Sequence, residues 1–338
     1  MDCLVKLTNV KQNCICKRYA SMAIRFLVTN SDVRKSVVSA KMLAPFIDMA
    51  HSQLLDYQRS AASAFASMSM EDENKTELME QGCFKAMLDL CISSDLQVQR
   101  DATFAVANMA DSCNIHTEIL NESGVSTMLK VSVSVDARVT RDTSRFFAFL
   151  SMDEMAKVKI VESGVLQTLI KYARSSDIAT QRYATLALCN VSTGKDIKET
   201  IIKEEGLLKV LVFLSRFPDL EIERCAALAI GALSLGVENT SKEMMGQNGA
   251  LQPLFEIIQF PDHEMQQCAS LALNCLALGT DNPVHTQMMS TKNGLSVILS
   301  LLDASDEEVI HNAIYVLGSL MEDEKFARAL SICKALNQ

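Results

Sequence analysis

Along this chain small and apolar residues return with a helical period inside short blocks, and the blocks themselves return at a fixed distance. In QRYATLALCNVS, from Gln181, the residues Ala184, Ala187, Leu188 and Val191 fall at i, i+3, i+4 and i+7. That is one apolar stripe of a helix. The block recurs as QRSAASAFASMS from Gln58, QRDATFAVANMA from Gln99, TRDTSRFFAFLS from Thr140 and ERCAALAIGALS from Glu223. Flanking versions are KRYASMAIRFLV from Lys17, QQCASLALNCLA from Gln266 and IHNAIYVLGSLM from Ile310, making eight copies. Arg18, Arg59, Arg100, Arg141 and Arg182 stand 41 residues apart and Arg224 follows at 42, so most of the 338-residue chain repeats a single unit.

The remainder of the unit is equally regular. Five residues before the arginine position sits an acid, Asp95, Asp136, Asp177, Asp219, Asp262 and Asp306, with Asn13 in the first copy and Leu54 as the exception. An Asp there caps the free N–H groups of a helix start and suits its positive dipole end. Upstream lies a glycine, Gly82, Gly124, Gly164, Gly206, Gly249 and Gly294, followed by an apolar stretch such as VLQTLIKYA from Val165. Glycine there ends one helix and lets the next leave at a sharp angle. The pattern predicts a short helix, a Gly corner, a second helix, an Asp-capped turn and a long third helix.

Units of about 40–47 residues with two or three helices define the armadillo and HEAT solenoids. The motif G-x-L-x-x-L…D-x-x-x-Q-x-x-A-x-x-A-L-x-N-L, fullest in GVLQTLIKYARSSDIATQRYATLALCNVS from Gly164, resembles the armadillo repeat, including armadillo-only, vacuolar-armadillo and β-catenin-like adaptors. The resemblance implies an all-α, right-handed superhelical solenoid of about eight three-helix repeats, forming one domain over 1–338. The repeats are expected near 3–30, 31–73, 74–114, 115–154, 155–196, 197–239, 240–282 and 283–325, with a partial ninth at 326–338. The chain opens within a unit, at DCLVKL, and stops in FARALSICKALNQ, which reads as a fragment of a larger protein or as ends covered by something else.

Composition narrows the function classes. Aromatic residues are 5%, Trp is absent and Pro numbers 5, so packing relies on Ala, Leu, Ile, Val and Met, which suit helices. A net charge of −9 argues against general nucleic-acid binding, which needs a basic face. Residues 1–59 nevertheless carry nine Lys/Arg against four Asp/Glu, or +5, leaving 23 against 37, or −14, for the rest. Eleven scattered cysteines, an odd number, suit a reducing compartment, and the close pair Cys14 and Cys16 lacks the partners of a zinc site. No apolar run spans a bilayer and position 2 is not Gly, so membrane contact is expected only indirectly or through a lipid anchor, with a cytoplasmic location extending to nuclear or peripheral-membrane sites.

In armadillo proteins the third helices line a groove, and the resemblance implies that partners bind there. The position usually held by Asn is matched by Asn108 and Asn190, whose amides suit the backbone of an extended peptide. Four residues earlier, where nuclear-import adaptors place Trp, stand Phe104, Arg145, Leu186 and Leu228; without that Trp array, import of basic signals is the weaker reading. The arginine row, Arg59, Arg100, Arg141, Arg182 and Arg224, is expected to flank the groove. Two uses are open to it: gripping carboxylates or phosphates of an acidic or phosphorylated partner, or pairing with a neighbouring unit's Asp cap. Arg145 with Phe104 and Phe149 adds a local patch.

The five histidines are spread over four units, with no phosphate loop, G-x-S-x-G or H-E-x-x-H, so no catalytic residue, metal or cofactor is expected. The leading expectation is a non-enzymatic scaffold or adaptor binding extended or helical segments of other proteins. The alternative is the substrate-recruiting region of a larger enzyme, such as a U-box ubiquitin ligase.

Overall fold

The computed structural model describes residues 14–39, 43–260, 262–279, 282–291 and 293–322. The expected opening helix, Asn13, the side chain of Arg18 and the partial ninth unit lie outside the described residues. Among those residues there are 22 α-helices and no strand. By their contacts they form two compact units, Met1–Thr168 with Ser176–Ala184, and Leu169–Ser175 with Thr185–Gln338.

The first unit contains α1 (Cys14–Leu27), α2 (Ser31–Ser39), α3 (Ala44–Ala50), α4 (Leu55–Met68), α5 (Asp72–Glu80), α6 (Cys83–Cys91), α7 (Leu96–Ala110), α8 (His116–Asn121), α9 (Gly124–Val131), α10 (Ala137–Leu150) and α11 (Glu154–Glu162). Two helices, α12 (Val165–Tyr172) and α13 (Ile178–Ser192), give residues to both units. The second contains α14 (Lys198–Ile202), α15 (Leu207–Leu214), α16 (Leu220–Ser234), α17 (Asn239–Gln247), α18 (Leu251–Ile257), α19 (His263–Ala277), α20 (Pro283–Ser290), α21 (Gly294–Ser300) and α22 (Glu307–Met321). After α1 the chain therefore runs in triplets of two short helices followed by a long one.

The long third helices pack in series, α4 on α7 and α7 on α10 in the first unit, α16 on α19 and α19 on α22 in the second. Small residues allow that approach: Ala61, Ala64, Ala102, Ala105 and Ala107 are completely buried. Each second helix closes the core from one side, as α6 does with Phe84, Met87 and Leu90 against α7. Burying each such side chain contributes about 1.5–3 kcal/mol.

Every predicted Asp cap is made. Asp95, Asp219 and Asp262 accept from the third residue beyond them, Val98, Ile222 and Met265. Asp136 and Asp306 accept from two backbone N–H groups each. Asp177 takes both the N–H and the hydroxyl of Thr180, at 2.9 and 2.7 Å. At Leu54 the side chain caps nothing, and Gln58 instead reaches back to the Ser52 carbonyl at 2.8 Å.

The glycine corners need one correction. Gly82, Gly164, Gly206 and Gly249 do take the left-handed conformation expected of them. In the units of Gly124 and Gly294 it is the preceding residue, Ser123 or Asn293, that has positive φ (66° and 62°), while the glycine starts the helix. There glycine is required for space: a Cβ on Gly124 would lie 2.8 Å from Ile119 Cγ2, and one on Gly294 2.6 Å from the Met288 carbonyl.

Candidate functional site

The arginine row is fastened to the Asp caps. Arg59 binds Asp95 through Nε (3.3 Å) and Nη2 (2.6 Å), and Arg100 binds Asp136 in the same way at 3.1 and 2.5 Å. Arg141 repeats the fork on Asp177, at 3.1 and 2.7 Å. Each carboxylate thus caps one third helix while accepting a bidentate guanidinium from the third helix before it. These contacts hold Asp95 and Asp136 below the usual carboxylate range, the arginine bond being the largest cause, and bring Asp177 down to about 2. In the second unit Arg224 lies 3.6 Å from Asp262 and pairs with Glu264. Arg182 is exposed and also has a partner. Of the two uses open to the row, geometry supplies the inter-repeat clasp, and an acidic ligand would have to compete with carboxylates already seated.

A second basic row, which the sequence reading missed, serves the other helix ends. Arg34, Lys75, His116, Lys157 and Lys198 are spaced by 41, and Lys242 and His285 continue at 44 and 43. All lie on short first helices or at their start, and Lys75, Lys157 and Lys242 are buried. Arg34 donates to the Ser67 carbonyl (3.0 Å), Lys198 to Leu235 (3.2 Å), Lys242 to Leu278 (2.8 Å), His116 to Ala110 (2.8 Å) and His285 to Ala277 (2.6 Å). These carbonyls belong to the ends of third helices, whose last C=O groups lack intrahelical partners and sit at the negative dipole end. Desolvation depresses Lys198 and Lys242. The signal was present in the same spacing, but on helices too short and polar to anchor an alignment.

The patch expected around Arg145 is assembled in the first unit. Its guanidinium carbon stands 5.0 Å from the Phe104 ring centroid, on the neighbouring third helix. Nη2 donates to Asn108 Oδ1 at 2.8 Å and to the Phe104 carbonyl at 3.4 Å, and Asp142 is 3.4 Å away. Asn108 is 8% exposed and spends its amide on Ser69 Oγ, 3.1 Å away. It joins three successive helices to one another, so its amide is not presented freely to a peptide backbone. Phe149 packs against Tyr183 at 6.3 Å between centroids, a partner absent from the expected set although it directly follows Arg182 in sequence. Burial raises Asp142 to about 6 and pushes Asp101 up as well. Phe104, Arg145, Phe149 and Tyr183 remain half-exposed, forming a continuous aromatic and cationic face. In the second unit Leu186 and Asn190 are half-exposed on α13, and Asn190 has partners of its own.

Three-helix units with Asp-capped third helices and Gly corners are the architecture of the armadillo-repeat fold. Residues 153–193 match the family model of the armadillo/beta-catenin-like repeat. Three solved structures extend the likeness beyond that single repeat. One engineered protein has a TM-score of 0.73 at 24% identity, with 94% of this chain and 87% of that chain covered. A designed armadillo repeat protein in complex with the peptide (KR)4 has a TM-score of 0.62 at 22% identity, covering 69% of this chain and 99% of that one. A computationally designed armadillo repeat protein for modular peptide recognition has a TM-score of 0.63 at 21% identity, covering 70% and 99%. No curated protein sequence matches the chain.

Proposed function

We propose that this chain is a non-enzymatic protein-binding scaffold that holds an extended or helical segment of another protein against its third helices. The observation that carries the reading is the face of Phe104, Arg145, Phe149 and Tyr183. Large amphipathic side chains stay half-exposed there while small residues of the same helices are buried. Aromatic rings and guanidinium groups are the side chains that concentrate binding energy at protein interfaces. The peptide bound by one designed structural neighbour supports the same use of the fold.

The test is selection of binding segments from a displayed peptide library, followed by affinity measurement on two variants. Phe104→Ala, Phe149→Ala and Tyr183→Ala together are expected to weaken the selected segments about tenfold or more. The exposed first-helix changes Glu73→Ala and Glu80→Ala are expected to leave affinity within about twofold. Full retention by the aromatic variant overturns the proposal.

A further inference from the structure

In the second unit one side-chain contact recurs between successive third helices. The seventh residue after the arginine position of one helix meets the first residue after that position on the next. Between α19 and α22 these are Asn274 and Asn312, and Asn274 donates to Asn312 Oδ1 at 3.1 Å. Between α16 and α19 they are Gly231 and Cys268, so close that a Cβ on the glycine would lie 2.5 Å from Cys268 Sγ. The same register pairs Cys189 of α13 with Cys225 of α16. There the Cys189 thiol donates a hydrogen bond to the Cys225 sulfur.

The two thiols are unequal. Both are reduced, but Cys189 is only 9% exposed while Cys225 is half-buried. The Cys189 hydrogen bond is the largest influence on Cys225 and, with Arg224 adding to it, outweighs burial and Glu221, so this thiol lies below its ordinary range. Burial instead raises Cys268 and Cys275. A single buried cysteine is ordinary apolar packing. A half-exposed thiol with enhanced thiolate character, touching a second thiol shielded from solvent, is the arrangement of an oxidisable cysteine beside its resolving partner.

We propose that Cys189 and Cys225 form a reversible disulfide site, oxidised by hydroperoxides, that clips two adjacent third helices together. With hydrogen peroxide, the Cys225 thiolate attacks one oxygen, the O–O bond breaks, and the departing hydroxide takes up the thiol proton as water, leaving Cys225 as a sulfenic acid. The Cys189 sulfur then attacks the Cys225 sulfur. The S–S bond forms, the S–O bond breaks, and a second water carries off the Cys189 proton. Two thiols thereby lose two electrons and two protons, and one peroxide is reduced to two waters. From hydrogen-bond contact the sulfurs need only close to about 2.05 Å. The bond joins residues 36 apart in adjacent repeats, so the junction of α13 with α16 cannot open while it persists. Thiol exchange restores the reduced form, as suits a transient bond in a reducing compartment.

The test is titration of the reduced full chain with hydrogen peroxide, alkylation of the remaining thiols in denaturant, and peptide mass spectrometry without reduction. A peptide linked through Cys189 and Cys225 is expected to form about tenfold faster than any other linkage, and to vanish with dithiothreitol. Cys189→Ser keeps a donor to Cys225 but removes the resolving sulfur. In that variant Cys225 should persist as the sulfenic acid and take up dimedone about tenfold more than in the parent. Cys225→Ser should abolish the linkage and leave Cys189 open to alkylation. The proposal is overturned if Cys225 stays alkylatable at peroxide levels that oxidise other cysteines, or if linkages scatter among the cysteines at similar rates. It is equally overturned if the linkage forms only between two molecules, seen as a dimer on a non-reducing gel. Should a variant lose helical signal, the rank of the Cys189 to Cys225 linkage among all cysteine pairs of the parent decides.

Discussion

At the residue scale the clasp between Arg141 and Asp177 makes stability depend on acid. Asp177 sits at about 2, with the Arg141 hydrogen bond as the largest cause. A carboxylate depressed in the folded state contributes stability that is present above the ordinary carboxylate range and lost as pH falls through about 4 towards 2. The shift corresponds to at most about 2.4 kcal/mol, and because Arg141 is 44% exposed, screening reduces this to about 1 kcal/mol. Asp177→Asn keeps a good helix cap while removing the ion pair. Urea melts from pH 2 to 7 should show the variant about 1 kcal/mol less stable at neutral pH and equal to the parent near pH 2; a constant difference would place the cost in the cap. The cysteines give a second residue-scale expectation. Burial pushes Cys83 and Cys91 up to about 12, whereas a hydrogen bond from Cys189 lowers Cys225. The thiolate is the reacting species. Native alkylation followed by peptide mass spectrometry should therefore label Cys225 well before Cys83 or Cys91, and Cys189→Ala should slow it.

At the scale of the element, the corner between first and second helices separates two reasons for glycine. A methyl on Gly124 would press on Ile119, including its carbonyl at 2.9 Å. Overpacking against backbone costs about 1–3 kcal/mol, so Gly124→Ala should lower the melting temperature. Ser123→Gly, one residue earlier, should raise it, because it relieves a left-handed serine at φ 66°. If both changes destabilise, the corner is held by contacts of the Ser123 side chain. Spacing alone made Gly124 the corner residue, since a one-residue shift in the turn leaves the apolar stripe of the following helix unchanged. The caps at Asp95 and Asp136 were legible because an N-cap is a local rule relating one side chain to N–H groups two or three residues away. Neither the partner of Arg145 nor that of Phe149 is local: Asn108 lies 37 residues from Arg145 and Tyr183 lies 34 from Phe149, so only the packed third helices show which groove positions meet. The Lys75 and Lys242 row carried a readable period, but its purpose depended on where the preceding or following third helix ends.

At the scale of the whole molecule, the arginine row works between adjacent repeats and the second basic row closes on third-helix ends of its own or the preceding repeat. Arg59, Arg100 and Arg141 each reach a carboxylate 36 residues on, in the next repeat. Lys198 and Lys242 close on the end of their own repeat's third helix, 37 and 36 residues away. These clasps each join residues of one repeat or of adjacent repeats, so stability should follow the sum of repeat and nearest-neighbour terms expected of a solenoid. Charge is distributed on the same local basis, with residues 1–59 at +5 and the acids gathered over 262–322. A local energy ledger predicts a local response to damage. Replacing Arg100 by Ala breaks one clasp and leaves Asp136 to cap α10 alone. Amide exchange should accelerate over 96–150, where α7, α9 and α10 lie, and remain at parent rates in 263–321. Mass spectrometry of exchange at neutral pH measures this directly. Equal acceleration over both stretches would show instead that the chain opens as one cooperative body, and that the clasps stabilise the array rather than their own neighbours.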